Sequence, residues 1–111
     1  MGISTHILDT TRGRPATGVT VALEQHSPDG SWRRVGEGVT NEDGRVKPLL
    51  ETIPGTGTYR IRFEVASYFK DLGQESFYPV VCIDFTVKSV KEHYHVPLLL
   101  NPFGFSTYRG S

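Results

Sequence analysis

Thr58-Tyr59-Arg60-Ile61-Arg62-Phe63-Glu64-Val65 is the stretch that decides the fold class. Tyr59, Ile61, Phe63 and Val65 alternate with Arg60, Arg62 and Glu64. Successive side chains of a β-strand point to opposite faces, so this segment has one apolar and one charged face, which is the pattern of a half-buried strand. The same period of two recurs in Val81, Ile83, Phe85 and Val87, and in Val19, Val21 and Leu23 set against Thr20, Ala22 and Glu24. Turn compositions separate such runs about every ten residues: Arg12-Gly13-Arg14-Pro15, Ser27-Pro28-Asp29-Gly30, Asn41-Glu42-Asp43-Gly44 and Asn101-Pro102-Phe103-Gly104. Eight strands are expected, over about 3–9, 19–25, 31–40, 45–47, 58–65, 81–87, 92–100 and 103–109, with Pro48 ending the fourth. The last two should pair as a hairpin. Tyr68 or Phe69 recurs with Leu72 at helical spacing before Gly73, so one short helix is expected over about 66–72. The class is all-β, a sandwich or a barrel.

A chain of 111 residues has room for one hydrophobic core, and a single domain over 1–111 is expected. Twelve basic and twelve acidic side chains cancel and are interspersed, which gives no electrostatic footprint for nucleic acid or an anionic membrane. No apolar run approaches the roughly 20 residues that span a bilayer, and Met1-Gly2-Ile3-Ser4-Thr5-His6 lacks the regions of a secretory signal, so an intracellular protein is expected. Cys82 is the only cysteine. Inside Val80-Val81-Cys82-Ile83 it reads as a small buried hydrophobe.

Chemistry-bearing residues are few. His93 and His95 lie two apart, so they project from one face of a strand while Tyr94, Val96 and Leu98 take the other. They read as two solvated imidazoles, as a metal pair needing a third ligand, or as one catalytic imidazole with a bystander. His6 shares a face of the first strand with Ser4 and Leu8, and Arg45 follows a tight turn; each also reads as an ordinary strand-edge residue. There is no Gly-x-Ser-x-Gly elbow and no glycine-rich loop opening a helix, which disfavours covalent catalysis and nucleotide binding. Ser106-Thr107-Tyr108-Arg109-Gly110-Ser111 carries no polar tail. It would group a phenol, a guanidinium and a hydroxyl, or it is a strand that simply stops.

Tyr94-His95-Val96-Pro97-Leu98-Leu99-Leu100 followed by Ser106 to Ser111 resembles the 5-hydroxyisourate hydrolase branch of the transthyretin-related proteins. Ser4-Thr5-His6-Ile7-Leu8-Asp9, Gly13-x-Pro15-Ala16, Asp43-Gly44-Arg45 and Glu75-Ser76-Phe77-Tyr78-Pro79 extend the likeness over nearly the whole chain. The resemblance implies a transthyretin-like β-sandwich of two four-stranded sheets with one short helix. It implies hydrolytic ring opening of 5-hydroxyisourate in urate degradation, a part of purine catabolism, with no cofactor and no metal. Its catalytic set maps onto His6, Arg45, His95 and Ser111, and substrate contacts extend to Tyr108 and Arg109; His93 is left as a bystander. It also implies a homotetramer, a dimer of dimers with active sites at the dimer–dimer interface, in cytoplasm or peroxisome. A transthyretin-like small-ligand carrier without catalysis is the rival reading.

Overall fold

The computed structural model describes residues 2–111; Met1, the start of the N-terminal segment considered above, lies outside them. The strands are β1 (Ile3–Asp9), β2 (Arg14–Pro15), β3 (Thr20–His26), β4 (Trp32–Val39), β5 (Arg45–Leu50), β6 (Gly57–Phe63), β7 (Val81–Val87), β8 (Tyr94–Asn101) and β9 (Gly104–Thr107), with one helix, α1 (Val65–Asp71), between β6 and β7. They form two sheets, one ordered β2-β1-β8-β9 with β5 also paired to β1, the other β4-β3-β6-β7. This is the expected all-β sandwich, with a fifth strand in one sheet supplied by the two-residue β2.

The period-two stretches form the core. Tyr59, Ile61, Phe63 and Val65 have no solvent exposure, and Val21 and Leu23 lie beside Phe63 and Ile61 on the paired β3, with Val19 buried just before it. Across the sandwich Ile3, Ile7, Val96, Leu98 and Leu100 complete the layer. Each fully buried side chain of this size contributes on the order of 1.5–3 kcal/mol. The helix begins one residue earlier than expected and closes on Gly73, whose φ of 73° lets Gly73 N donate to the Lys70 carbonyl and Gln74 N to that of Phe69. Among the described residues no helix is long and apolar enough to cross a membrane.

Three expectations need correction. Cys82 is exposed: an unbroken apolar run hides the phase of the strand, and inward Val81 and Ile83 leave Cys82 on the outer face, opposite Arg62. Pro48 does not end its strand. β5 continues to Leu50, because it lies at the sheet edge and Pro48 falls where the pairing with β1 shifts register, a place that tolerates a residue with no N–H. The last strand stops at Thr107, so Tyr108 and Arg109 leave the ladder.

Candidate active site

Parallel pairing of β1 with β8 sets Ser4 beside His95 and His6 beside Pro97. Since Ile3, Ile7, Tyr94, Val96 and Leu98 point into the sandwich, Ser4, His6 and His95 share the outward face of that sheet. β5 adds Arg45 directly opposite His6, and Lys47 follows on the same face. The turn before β5 fixes this register. The Asn41 side-chain oxygen accepts from Asp43 N at 2.9 Å and Arg45 N at 3.0 Å. Gly44 has φ 72° and its carbonyl accepts from Ile7 N at 2.8 Å; a Cβ there would come within 2.5 Å of the Ile7 oxygen. Glycine at 44 is what allows the turn to press against β1.

The C-terminal segment folds back over His95. Gly110 N donates to the His95 carbonyl at 2.8 Å. A Cβ at Gly110 would lie 2.6 Å from His95 Cδ2 and 3.1 Å from Pro97 Cγ, so only glycine permits this approach. The result is an open cleft of about 420 Å³, floored by Ser4, His6 and His95 and walled by Arg45, Lys47, His93, Tyr108 and Ser111.

Electrostatics within the cleft favour neutral imidazoles beside fixed cations. His95 is held below the ordinary imidazole value, first by burial and then by the charges of Arg45, His6, His93 and Lys47. His6 is lowered by burial and by Arg45, against the opposing pull of a hydrogen bond to the Asp43 backbone and the Asp43 charge. A desolvated ring next to guanidinium resists protonation. Among the described residues no carboxylate forms an ion pair with Arg45 or Lys47. Such a site suits an electron-rich polar ligand, with two imidazoles able to accept a proton near neutrality.

Of the residues singled out in the sequence, the fold brings His6, Arg45, His95, Tyr108 and Ser111 to one cleft. Arg109 is turned away from it: its guanidinium stacks 4.7 Å over the Tyr94 ring and pairs with Glu92 at 3.3 Å. Sequence reasoning missed Ser4 and Lys47 as cleft residues and set His93 aside. The available signal was periodicity, since Ser4 shares a face with His6 and Lys47 with Arg45. No three His, Cys, Asp or Glu among the described residues are grouped as a metal site.

A family model described as "HIUase/Transthyretin family" matches residues 3–110. The chain belongs to that family. Within the HIUase/transthyretin family it is 47% identical to the 5-hydroxyisourate hydrolase of Deinococcus radiodurans over 117 residues, covering 99% of this chain and 96% of the relative. Its fold matches the 5-hydroxyisourate hydrolase structure of Klebsiella pneumoniae with a TM-score of 0.86 and 37% identity, over the whole of both chains. It also matches sea bream transthyretin in complex with thyroxine, with a TM-score of 0.93 and 30% identity over 99% of this chain and 95% of the other. The likeness in fold therefore reaches both a hydrolase and a thyroxine-bound protein.

Proposed function

We propose that this chain is a 5-hydroxyisourate hydrolase, opening the six-membered ring of its substrate by attack of water to give 2-oxo-4-hydroxy-4-carboxy-5-ureidoimidazoline in urate degradation. The observation that carries this reading is the cleft in which His6, Arg45 and His95 meet the C-terminal segment held by Gly110. Relatives named for this reaction, at 42–47% identity over nearly the full chain, support it.

One imidazole takes a proton from water, a step that contributes roughly 10²–10⁴-fold. The carbon–oxygen bond forms at the attacked carbonyl, its electron pair moves onto oxygen, and collapse breaks the ring carbon–nitrogen bond as the leaving nitrogen is protonated. Arg45, fixed in charge and planar, binds the urate-like ring and stabilises the oxyanion. Tyr108 and Ser111 orient substrate or water through their hydroxyls. No step requires a metal or an organic cofactor. Arg109 acts from outside the cleft, holding the segment through Tyr94 and Glu92.

A single domain over 1–111 is assembled as a homotetramer, a dimer of dimers with its sites at the dimer–dimer interface, in an intracellular compartment, cytoplasm or peroxisome. The openness of the cleft on the outer face of one sheet supports a second subunit as its lid. The carrier reading is favoured by the likeness to thyroxine-bound transthyretin. It is opposed by Arg45 and Lys47, which form no ion pair with a carboxylate among the described residues and lie beside two imidazoles. Adding the protein to freshly generated 5-hydroxyisourate separates them: the ultraviolet absorbance should decay far faster than without protein, whereas a carrier leaves the spontaneous rate unchanged.

A further inference from the structure

Ser4 is nearly inaccessible, with 3% of its surface exposed. Its hydroxyl lies 2.8 Å from His95 Nδ1 and 2.9 Å from His93 Nε2. A hydroxyl has one proton to give and two lone pairs to accept with, so it can donate to only one ring; when it gives that proton to one ring, the other ring donates to Ser4. The three groups therefore form a directed chain. Its direction decides whether His95 offers the cleft a lone pair or an N–H, because the hydrogen bond made by one ring nitrogen sets the state of the other.

Charge distribution selects the direction. His95 is partly buried and faces Arg45 and Lys47 from β5, His6 from β1 and His93 from its own strand, with Tyr108 at the rim. His93 is exposed, and an exposed imidazole carries a positive charge at a smaller desolvation cost than a buried one beside two cations.

We propose that Ser4 and His93 are positioning residues for His95: the Ser4 hydroxyl accepts the His95 Nδ1 proton, leaving Nε2 free to take a proton from the attacking water, and His93 receives the relayed proton. As Nε2 gains the water proton, the Nδ1 proton passes to Ser4 Oγ and the Ser4 proton passes to His93 Nε2. The reverse shift restores Nδ1–H when Nε2 delivers its proton to the leaving ring nitrogen, so the cycle adds one water and leaves no net charge. This assignment makes His95 the base and rests on the hydrolase reading. His6, which donates to the Asp43 backbone, then serves to orient substrate or water.

Histidine-ring ¹⁵N NMR of the whole protein tests the hydrogen-bond direction without turnover. At pH about 8, above the ordinary imidazole value, His95 should be the Nδ1–H tautomer, and Ser4→Ala should abolish that preference; an Nε2–H His95 in the unsubstituted protein overturns the proposal. His93→Gln, a surface change that keeps a hydrogen-bonding group but cannot take the proton, should lower kcat about tenfold or more with KM within about twofold, and free imidazole should restore turnover. Ser4→Thr should keep most of the activity that Ser4→Ala loses. An unchanged kcat in His93→Gln, or a loss confined to KM, overturns the relay while leaving the hydrolase reading intact. An unsubstituted protein that does not accelerate decay of 5-hydroxyisourate contradicts the hydrolase reading instead, and the NMR result still decides the Ser4–His95 bond.

Discussion

The two sheets turn very different faces outward. On the sheet β4-β3-β6-β7, Arg60 pairs with Asp84 at 2.7 Å and lies 4.0 Å over the Trp32 ring, Arg62 pairs with Glu64 at 2.6 Å, and Arg34 lies 3.8 Å from Glu37. Those charges largely neutralise one another. On the sheet built around β1 and β8, Arg45 and Lys47 have no such partner among the described residues, and they stand over His6 and His95. A charged strand face is ordinarily a solvated surface, and the first sheet shows how that surface pairs itself off. The second becomes a site because its cations are left for a ligand and its imidazoles are partly desolvated.

The contrast can be broken most severely at His95. His95→Ala should reduce turnover by about 10²-fold or more while the protein keeps its fold, read from steady-state kinetics beside circular dichroism. Next in size is Gly110→Ala. The added methyl would sit 2.6 Å from the His95 ring, so the C-terminal segment must lift, and kcat/KM should fall about tenfold or more with little change in melting temperature. A methyl accepted without kinetic effect would show that the segment does not act through His95.

The pH response is smaller and has a definite sign. Folded His6 and His95 release their protons below the ordinary imidazole value of about 6.5. Between those lowered values and 6.5 the unfolded chain binds more protons than the native one, so stability rises with pH through that window and falls as pH drops. Melting temperature should decrease from about pH 7 to pH 5, less so in His95→Ala, and the acid limb of kcat/KM should lie below 6.5. The smallest effect belongs to the other sheet. Arg60→Ala removes one exposed ion pair and one stacking contact, and chemical denaturation should register a loss of about 1 kcal/mol or less.

How much of this was legible in the sequence follows from distance along the chain. The alternation at Tyr59, Ile61 and Phe63 is local and specified both the strand and its buried face, whereas Val65, expected to end that strand, is the buried first residue of the helix. The all-β class and the short helix before Gly73 were legible for the same reason. Cys82 was misread because a run of apolar residues carries no phase, and Pro48 because edge position and register shift are tertiary facts. The resemblance supplied the candidate residues His6, Arg45, His95, Tyr108, Arg109 and Ser111; the fold then separated Arg109 from the rest. The contacts of Ser4 with His93 and His95 join residues 89 and 91 positions apart. They depend on the parallel register of β1 with β8, which no local pattern encodes.

The central claim is that the unpaired outer face carries hydrolysis and the paired one does not. It is tested most directly by following the absorbance of freshly generated 5-hydroxyisourate with the unsubstituted protein, Arg45→Ala and Arg60→Ala at equal concentration. The account predicts rapid decay with the unsubstituted protein and with Arg60→Ala, and a rate reduced by about 10²-fold or more with Arg45→Ala. Equal rates for the two arginine variants would contradict it.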